Sequence, residues 1–373
     1  MRNPFQYGSR VSGGAFFNRT KIKRDMQVTV EGGNNIVLYG PRRYGKSSLV
    51  GEIINTLRQS GWVCIELNMM DVVSLDDFIA QYTKAIYREV APTTGTLLQI
   101  ANLFKRVSPR IGLDDEGRPE LKFEMASRKA EISTLREVLD LPKKICPPGK
   151  TLIAIDEFQE VKELGLGGQF ERTMRTVIQE HADIAYIFLG SKTHLLERMF
   201  SSASRPFYNA AQKFMLGQPP AEESVQFIID RFKSVGISID VEVASEIVEK
   251  AGNVPYYIQA VGAWVFNVVS GDDANQVTHA HVEEGFSAFY ATEICLLENV
   301  FAARPKSQRL LMRALAKAST ERFDETYRLQ HGLASTSTVN TALKRLLTDA
   351  IVETVDGKYI LADPLLAYHL RGL

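Results

Sequence analysis

Three cysteines in 373 residues, at positions 64, 146 and 295, form no CxxC pair and are too few to staple a chain of this length. A disulfide framework is excluded, and a reduced intracellular setting, the cytoplasm, is the expectation. Charge of one sign is not in excess either. Lys plus Arg and Asp plus Glu both number 44, so no global field draws the chain to nucleic acid or an anionic membrane, and any basic surface must be local. Long apolar runs are also missing. The longest, Tyr256 to Val269, is interrupted by Gln259 and Asn267 and falls short of the roughly 20 residues a spanning helix needs, so it reads as a buried helix and no membrane partner is expected. No apolar run follows the N-terminal charge, which argues against a secretory signal. Histidines are scarce, and only His279 and His281 lie close together, a weak metal pattern without a further ligand.

What remains is ordinary globular composition, 45% apolar and 24% charged, in a chain longer than one core usually organises, so two or three domains are expected. Apolar runs at 35–39, 62–67, 151–156, 184–190 and 213–217 alternate with segments of helical spacing. That alternation predicts an α/β unit, a parallel sheet covered by helices, over residues 1–217. Inside it, residues 110–125 alternate on both sides of the turn-rich Asp115-Glu116-Gly117-Arg118-Pro119, the pattern of an inserted β-hairpin over about 108–126. Strand signals vanish from Pro219 to about Ala302, predicting an all-α subdomain at 218–302. From 303 the order is three helices (305–318, about 323–331, about 337–349) and a hairpin with Asp356-Gly357 at its turn. That order describes a winged helix over 303–373.

The chemistry-bearing stretch is Gly40-Pro41-Arg42-Arg43-Tyr44-Gly45-Lys46-Ser47-Ser48, a match to GxxxxGK[ST] set between a strand and an amphipathic helix. Glycines let backbone N–H groups wrap phosphate oxygens, and the helix start adds its positive end. Lys46 would hold the terminal phosphates of ATP or ADP and Ser47 would ligate Mg²⁺. A carboxylate at the end of a neighbouring buried strand should complete the site. "LIAIDEFQEV" supplies Asp156 for the metal and Glu157 to polarise the attacking water. Ser191, at the tip of the next apolar run, is placed to contact the terminal phosphate or the attacking water, to cap the following helix (192–200), or to do both.

Four stretches together resemble the archaeal-type ATPases of the AAA+/STAND P-loop group, relatives of origin-recognition ATPases. They are "NPFQYGSRVSGGAFFNR" (3–19), "LYGPRRYGKSSL" (38–49), "AIDEFQEV" (154–161) and the segment from "LGSKTHLLERMF" to "SRPFY" (189–208). The resemblance implies a sheet with the Ser191 strand between the cradle strand and the Asp156 strand, then a helical lid and a winged helix. It implies that Phe17-Asn18-Arg19 lies near the adenine and ribose, and that Pro255 of Gly252-Asn253-Val254-Pro255 approaches the nucleotide. No arginine stands in "IQEHADIAY", the usual place for an arginine finger. Among Arg172, Arg175, Arg198 and Arg205, the last is the first choice as charge donor. Asn209 and Ala210 stand where related sequences often carry an arginine, which puts ring-type activation by a neighbouring subunit in doubt. Arg42 and Arg43 are expected to turn from the phosphates toward acids of the lid or a neighbouring domain, with Tyr44 packed beneath them.

The last domain carries eleven Lys or Arg against seven Asp or Glu, a modest excess. Its presumed recognition helix presents Asn340, Thr341, Lys344 and Arg345, which suit double-stranded DNA and equally suit a solvated face or a protein partner. The expected function is an ATP-binding, slowly hydrolysing Mg²⁺-dependent switch whose nucleotide state sets the position of the winged helix. A DNA-coupled use and a signalling use, in which the winged helix binds a protein or clamps the nucleotide, are both open, as is assembly into an oligomer.

Overall fold

The structure, a computed structural model, describes residues 2–11, 13, 16, 19–90, 107–113, 119–125, 132–164, 166, 168–355 and 357–372. Phe17, Asn18 and Asp356 therefore lie outside the described residues. Five strands form one parallel sheet: β1 (Ile36–Tyr39), β2 (Val63–Asn68), β5 (Thr151–Asp156), β6 (Ile184–Gly190) and β7 (Gln212–Met215), in the order β2-β5-β6-β1-β7. The apolar runs are continuous because both faces are covered. Every residue of β6 is buried, and alternate residues of each central strand feed two separate cores. Val37, Ile153, Ile155 and Phe188 join the core under α3 (Leu75–Val90), α6 (Gln169–Glu180) and α7 (Thr193–Ser201). Ile36, Leu38, Leu152 and Ile187 join the other, which begins at α1 (Thr20–Glu31) and α2 (Lys46–Gln59). Between α3 and β5 lie the antiparallel pair β3 (Val107–Leu113) and β4 (Pro119–Met125) and the short helices α4 (Ile132–Leu139) and α5 (Leu141–Ile145).

The second core runs on without a break through the helices that follow: α8 (Ala221–Lys233), α9 (Val241–Lys250), α10 (Pro255–Gly271) and α11 (His279–Ala302). Helix α10 contains the interrupted apolar run and buries most of it. This region is not wholly helical as predicted. Two-residue strands β8 (Ser238–Ile239) and β9 (Gln276–Val277) pair in parallel, too short to leave a period-2 signature in sequence. His279 and His281 sit in the first turn of α11, where His281 and Thr278 form a capping box.

The C-terminal part has α12 (Lys306–Lys317), α13 (Glu325–Gln330), α14 (Thr336–Thr348), the hairpin β10 (Val352–Val355) and β11 (Lys358–Leu361), and a further helix α15 (Pro364–Arg371). Helix α15 seats the domain on the lid. Tyr368 meets Phe286 and Tyr290 of α11 edge-on, and the Tyr290 hydroxyl bonds His369 Nδ1 at 2.7 Å. Among the described residues, no helix is long and apolar enough to cross a membrane.

Candidate nucleotide site

The carboxyl ends of β1, β6 and β5 lie side by side, the position where open α/β sheets bind ligands. The 40–47 loop leaves β1, Ser191 follows β6, and Asp156 ends β5. In the loop, Gly45 has φ +85°, a backbone that only glycine adopts freely, and α2 starts at the next residue. Lys46 is buried, and its Nζ donates to the carbonyls of Gly40 and Pro41 at 2.7 Å each. Burial pushes its pKa down to about 8, against the opposing pull of Glu157 and Asp156.

Ser47 Oγ donates to Asp156 Oδ2 at 2.6 Å, and Asp156 Oδ1 accepts the Glu157 backbone N–H at 2.8 Å. Glu157 sits at φ +50°, an uncommon conformation for a glutamate, costing about 1–2 kcal/mol, that the surroundings must enforce. Three donors do so. Its Oε2 accepts Ser191 N at 3.2 Å, Ser191 Oγ at 3.0 Å and the Gln159 side-chain amide. Gln159 is buried against Gly190, where an added Cβ would stand 2.1 Å from the Gln159 Oε1. Of the uses open to Ser191, capping is not the one adopted: α7 begins after Lys192 with no side-chain cap, and the serine hydroxyl is turned to Glu157.

Lys46, Ser47, Asp156, Glu157 and Ser191 line a cavity of about 490 Å³ that also takes in Arg19, Arg42, Arg43, Tyr44, Gly45 and Pro255. Arg19 donates to the carbonyls of Gly217 (2.8 Å) and Tyr44 (3.2 Å), and burial lowers its pKa to about 10, partly offset by Glu223. Pro255 is the first residue of α10 as well as a wall of the cavity.

The two arginines of the loop diverge. Arg43, at φ +69°, reaches away from the cavity floor to Asp363 Oδ2 (2.8 Å) and the Tyr257 hydroxyl, with its guanidinium 5.0 and 4.9 Å from the ring centres of Tyr256 and Tyr257. Asp363 also accepts the Tyr257 hydroxyl and caps α15 through Leu365 and Leu366 N–H. The expected acid is therefore found for Arg43, in the C-terminal domain. Arg42 does not follow the expectation. Its Nε donates to Ser191 Oγ at 3.3 Å, and among the described residues no carboxylate pairs with it. Tyr44 is buried in the second core.

Residues 296–372 match the family described as a probable winged helix domain. Over its whole length the chain is similar to the Walker-type ATPase of Pyrococcus abyssi, with a TM-score of 0.70 at 17% identity over 99% of each chain. It is also similar to the ORC2 protein of Aeropyrum pernix solved as ADPNP and ADP complexes, at 0.59 and 14% over 94% of this chain and 90% of that one. The Aeropyrum pernix ORC1 protein in complex with DNA gives 0.52 and 13% over 96% and 93%. The fold is the one these proteins share, a parallel-sheet P-loop core followed by helices and a winged helix. No curated protein sequence matches the chain.

Within this ATPase fold, one candidate is not brought to the site. Arg205 lies 3.8 Å from the buried Glu171, against Val161, Lys162 and Phe170, in a small pocket of its own. Other groups were missed. The N-terminal strap crosses the start of α2, with Arg10 Nε on Ser47 O (2.8 Å) and Val11 N on Ser48 Oγ (3.2 Å), and reaches the lid through Gln6 N on Gln259 Oε1 (3.1 Å). Nothing in local periodicity marks such a strap, whose partners are up to 264 residues away.

Proposed function

We propose that the protein is an ATP-binding, slowly hydrolysing switch in which the phosphate loop reports its nucleotide state to the winged helix. One observation carries this reading: the loop whose backbone frames the cavity sends Arg43 to Asp363 of the C-terminal domain. An ion pair at this exposure contributes about 0–1 kcal/mol and each cation–π contact about 0.5–1 kcal/mol. Such a sum, about 1–3 kcal/mol, biases a domain position by about 5- to 150-fold yet remains within reach of what differential phosphate binding can overturn.

The donor set fits Mg²⁺. Ser47 and Asp156 offer hydroxyl and carboxylate oxygens 2.6 Å apart, hard ligands of the kind this ion takes, with no cation paired to Asp156 among the described residues. Bound there, the ion would neutralise charge between the terminal phosphates. Lys46 would exchange its carbonyl partners for phosphate oxygens, Glu157 would orient and deprotonate water, and Ser191 would read the terminal phosphate. Arg19 and Pro255 would bound the nucleoside end. Residues 1–217, 218–302 and 303–373 would act as core, lid and reporter.

For the output we favour double-stranded DNA. Asn340, Thr341, Lys344 and Arg345 are exposed on α14 while Val339, Ala342, Leu343 and Leu346 are buried, and the similar ORC1 protein was solved with DNA. A protein partner is the second reading, favoured by the engagement of Arg345 with Asp349 at 3.2 Å, which withdraws one of the two bases. The test is hydrolysis by wild type and Glu157→Gln with and without duplex DNA across a salt series. Stimulation by DNA that weakens with salt and is absent in the variant supports the first reading. Turnover indifferent to DNA supports the second, and absence of both turnover and ATP binding contradicts the switch.

A further inference from the structure

The charge donor expected at Arg205 is engaged elsewhere, with Glu171, yet phosphoryl transfer spreads negative charge over three equatorial oxygens, more than a single lysine would neutralise. We propose that Arg42 supplies the missing cation from within the phosphate loop, making it an intrinsic counterpart of an arginine finger. The inference rests on the ATPase reading and adds to it a catalytic residue.

Three observations converge on Arg42. First, it borders both the nucleotide cavity and the adjoining one of about 670 Å³ between core, lid and winged helix. Second, its Nε is 3.3 Å from Ser191 Oγ, and that hydroxyl is 3.0 Å from Glu157 Oε2. The guanidinium, the phosphate sensor and the water-orienting carboxylate are thus joined in one chain of contacts at the end of the cavity. Third, its neighbour Arg43 is committed to Asp363, Tyr256 and Tyr257, whereas Arg42 has no ion-pair partner among the described residues and is held by one long hydrogen bond. An exposed cation on a loop this constrained, tethered to the sensor rather than to an acid, keeps two NH₂ groups for a ligand.

In the step so assisted, the water oxygen forms a bond to the terminal phosphorus as the bridging P–O bond breaks. The water proton passes to Glu157, and ADP departs with the electron pair of the bridging oxygen. Arg42 donates to the oxygens on which that charge accumulates.

The test compares wild type, Arg42→Ala and Arg42→Lys for ATP affinity, ADP affinity, kcat, and capture of ADP with aluminium fluoride, a mimic of the transferring phosphoryl group. Arg42→Ala is expected to lose about 10³-fold in kcat, within the range for a removed arginine finger, and to fail to capture ADP with aluminium fluoride, while ATP and ADP affinities stay within about threefold. Arg42→Lys should fall between the two, since it keeps charge without the planar fork. Millimolar guanidinium added to Arg42→Ala should restore part of the rate. Wild-type turnover in Arg42→Ala, or equal loss of ADP and ATP affinity with no specific loss of aluminium fluoride capture, overturns the assignment. A wild-type protein that binds ATP and never turns it over overturns the ATPase reading beneath it, so the two failures are separable.

Discussion

At the scale of single residues, the site depends on how Glu157 is held. Its left-handed backbone and its three donors, two from Ser191 and one from Gln159, place one carboxylate oxygen against β6. Glu157→Gln should abolish turnover while ATP still binds, read by filter binding beside a phosphate-release assay. Gln159→Met keeps the buried volume but removes the amide, so kcat is expected to fall about tenfold with KM and thermal midpoint little changed. A parallel loss of stability would mean that Gln159 only fills space. The acids and the lysine of this site were legible in the sequence because their spacing and strand context are prescribed by phosphate chemistry. Gln159 was not singled out, although it lies in the quoted motif, because a buried amide that orients a neighbour has no pattern apart from the fold. The surroundings of Arg205 were hidden for the same reason: its sequence context said nothing of the buried Glu171 beside it.

At the scale of elements, the sheet was readable from five apolar runs, and the winged helix from its helix and hairpin order. The lid's β8–β9 pair was not, since two residues carry no periodicity. How the elements meet was also hidden. Gly252 packs on Pro364, where an added Cβ would stand 2.4 Å away, and the Arg43–Asp363 pair lies beside that contact, so core loop, lid and winged helix converge on the first turn of α15. Arg43→Ala should therefore free this turn without emptying the cavity. Hydrogen exchange at Leu365 and Leu366, whose N–H groups bond Asp363, is expected to rise several-fold in Arg43→Ala while ATP affinity changes little; unchanged protection would place the hold in the lid packing alone. On α14, Lys344→Ala should reduce the salt slope of DNA binding by about one. An unaltered slope would remove this helix face from the interface.

At the scale of the whole molecule, the wing hairpin brings a carboxylate to the phosphate end. Glu353 borders the second cavity, one of its oxygens is buried with no hydrogen-bond partner, and burial pushes its pKa up to about 7 while Lys46 pulls it down. Around it stand Arg42, Arg43 and His194 with Glu197, Asp349 and Asp363. A carboxyl raised above its unfolded value favours the docked arrangement fully below about pH 4.5, and that contribution is lost as pH rises through about 7. Lys46, lowered to about 8, changes charge only above that window. The thermal midpoint should therefore decline between about pH 4.5 and pH 7 by more in wild type than in Glu353→Gln. Equal slopes would show that Glu353 is not the titrating group.

The central claim is that the phosphate loop sets the position of the winged helix, and a distance between core and winged helix, measured by paired spin labels in Glu157→Gln with ADP and then with ATP, tests it most directly. The account predicts two distinct distance distributions that merge into one when Arg43 is also changed to alanine. A single distribution with both nucleotides, each shown to be bound, would contradict it.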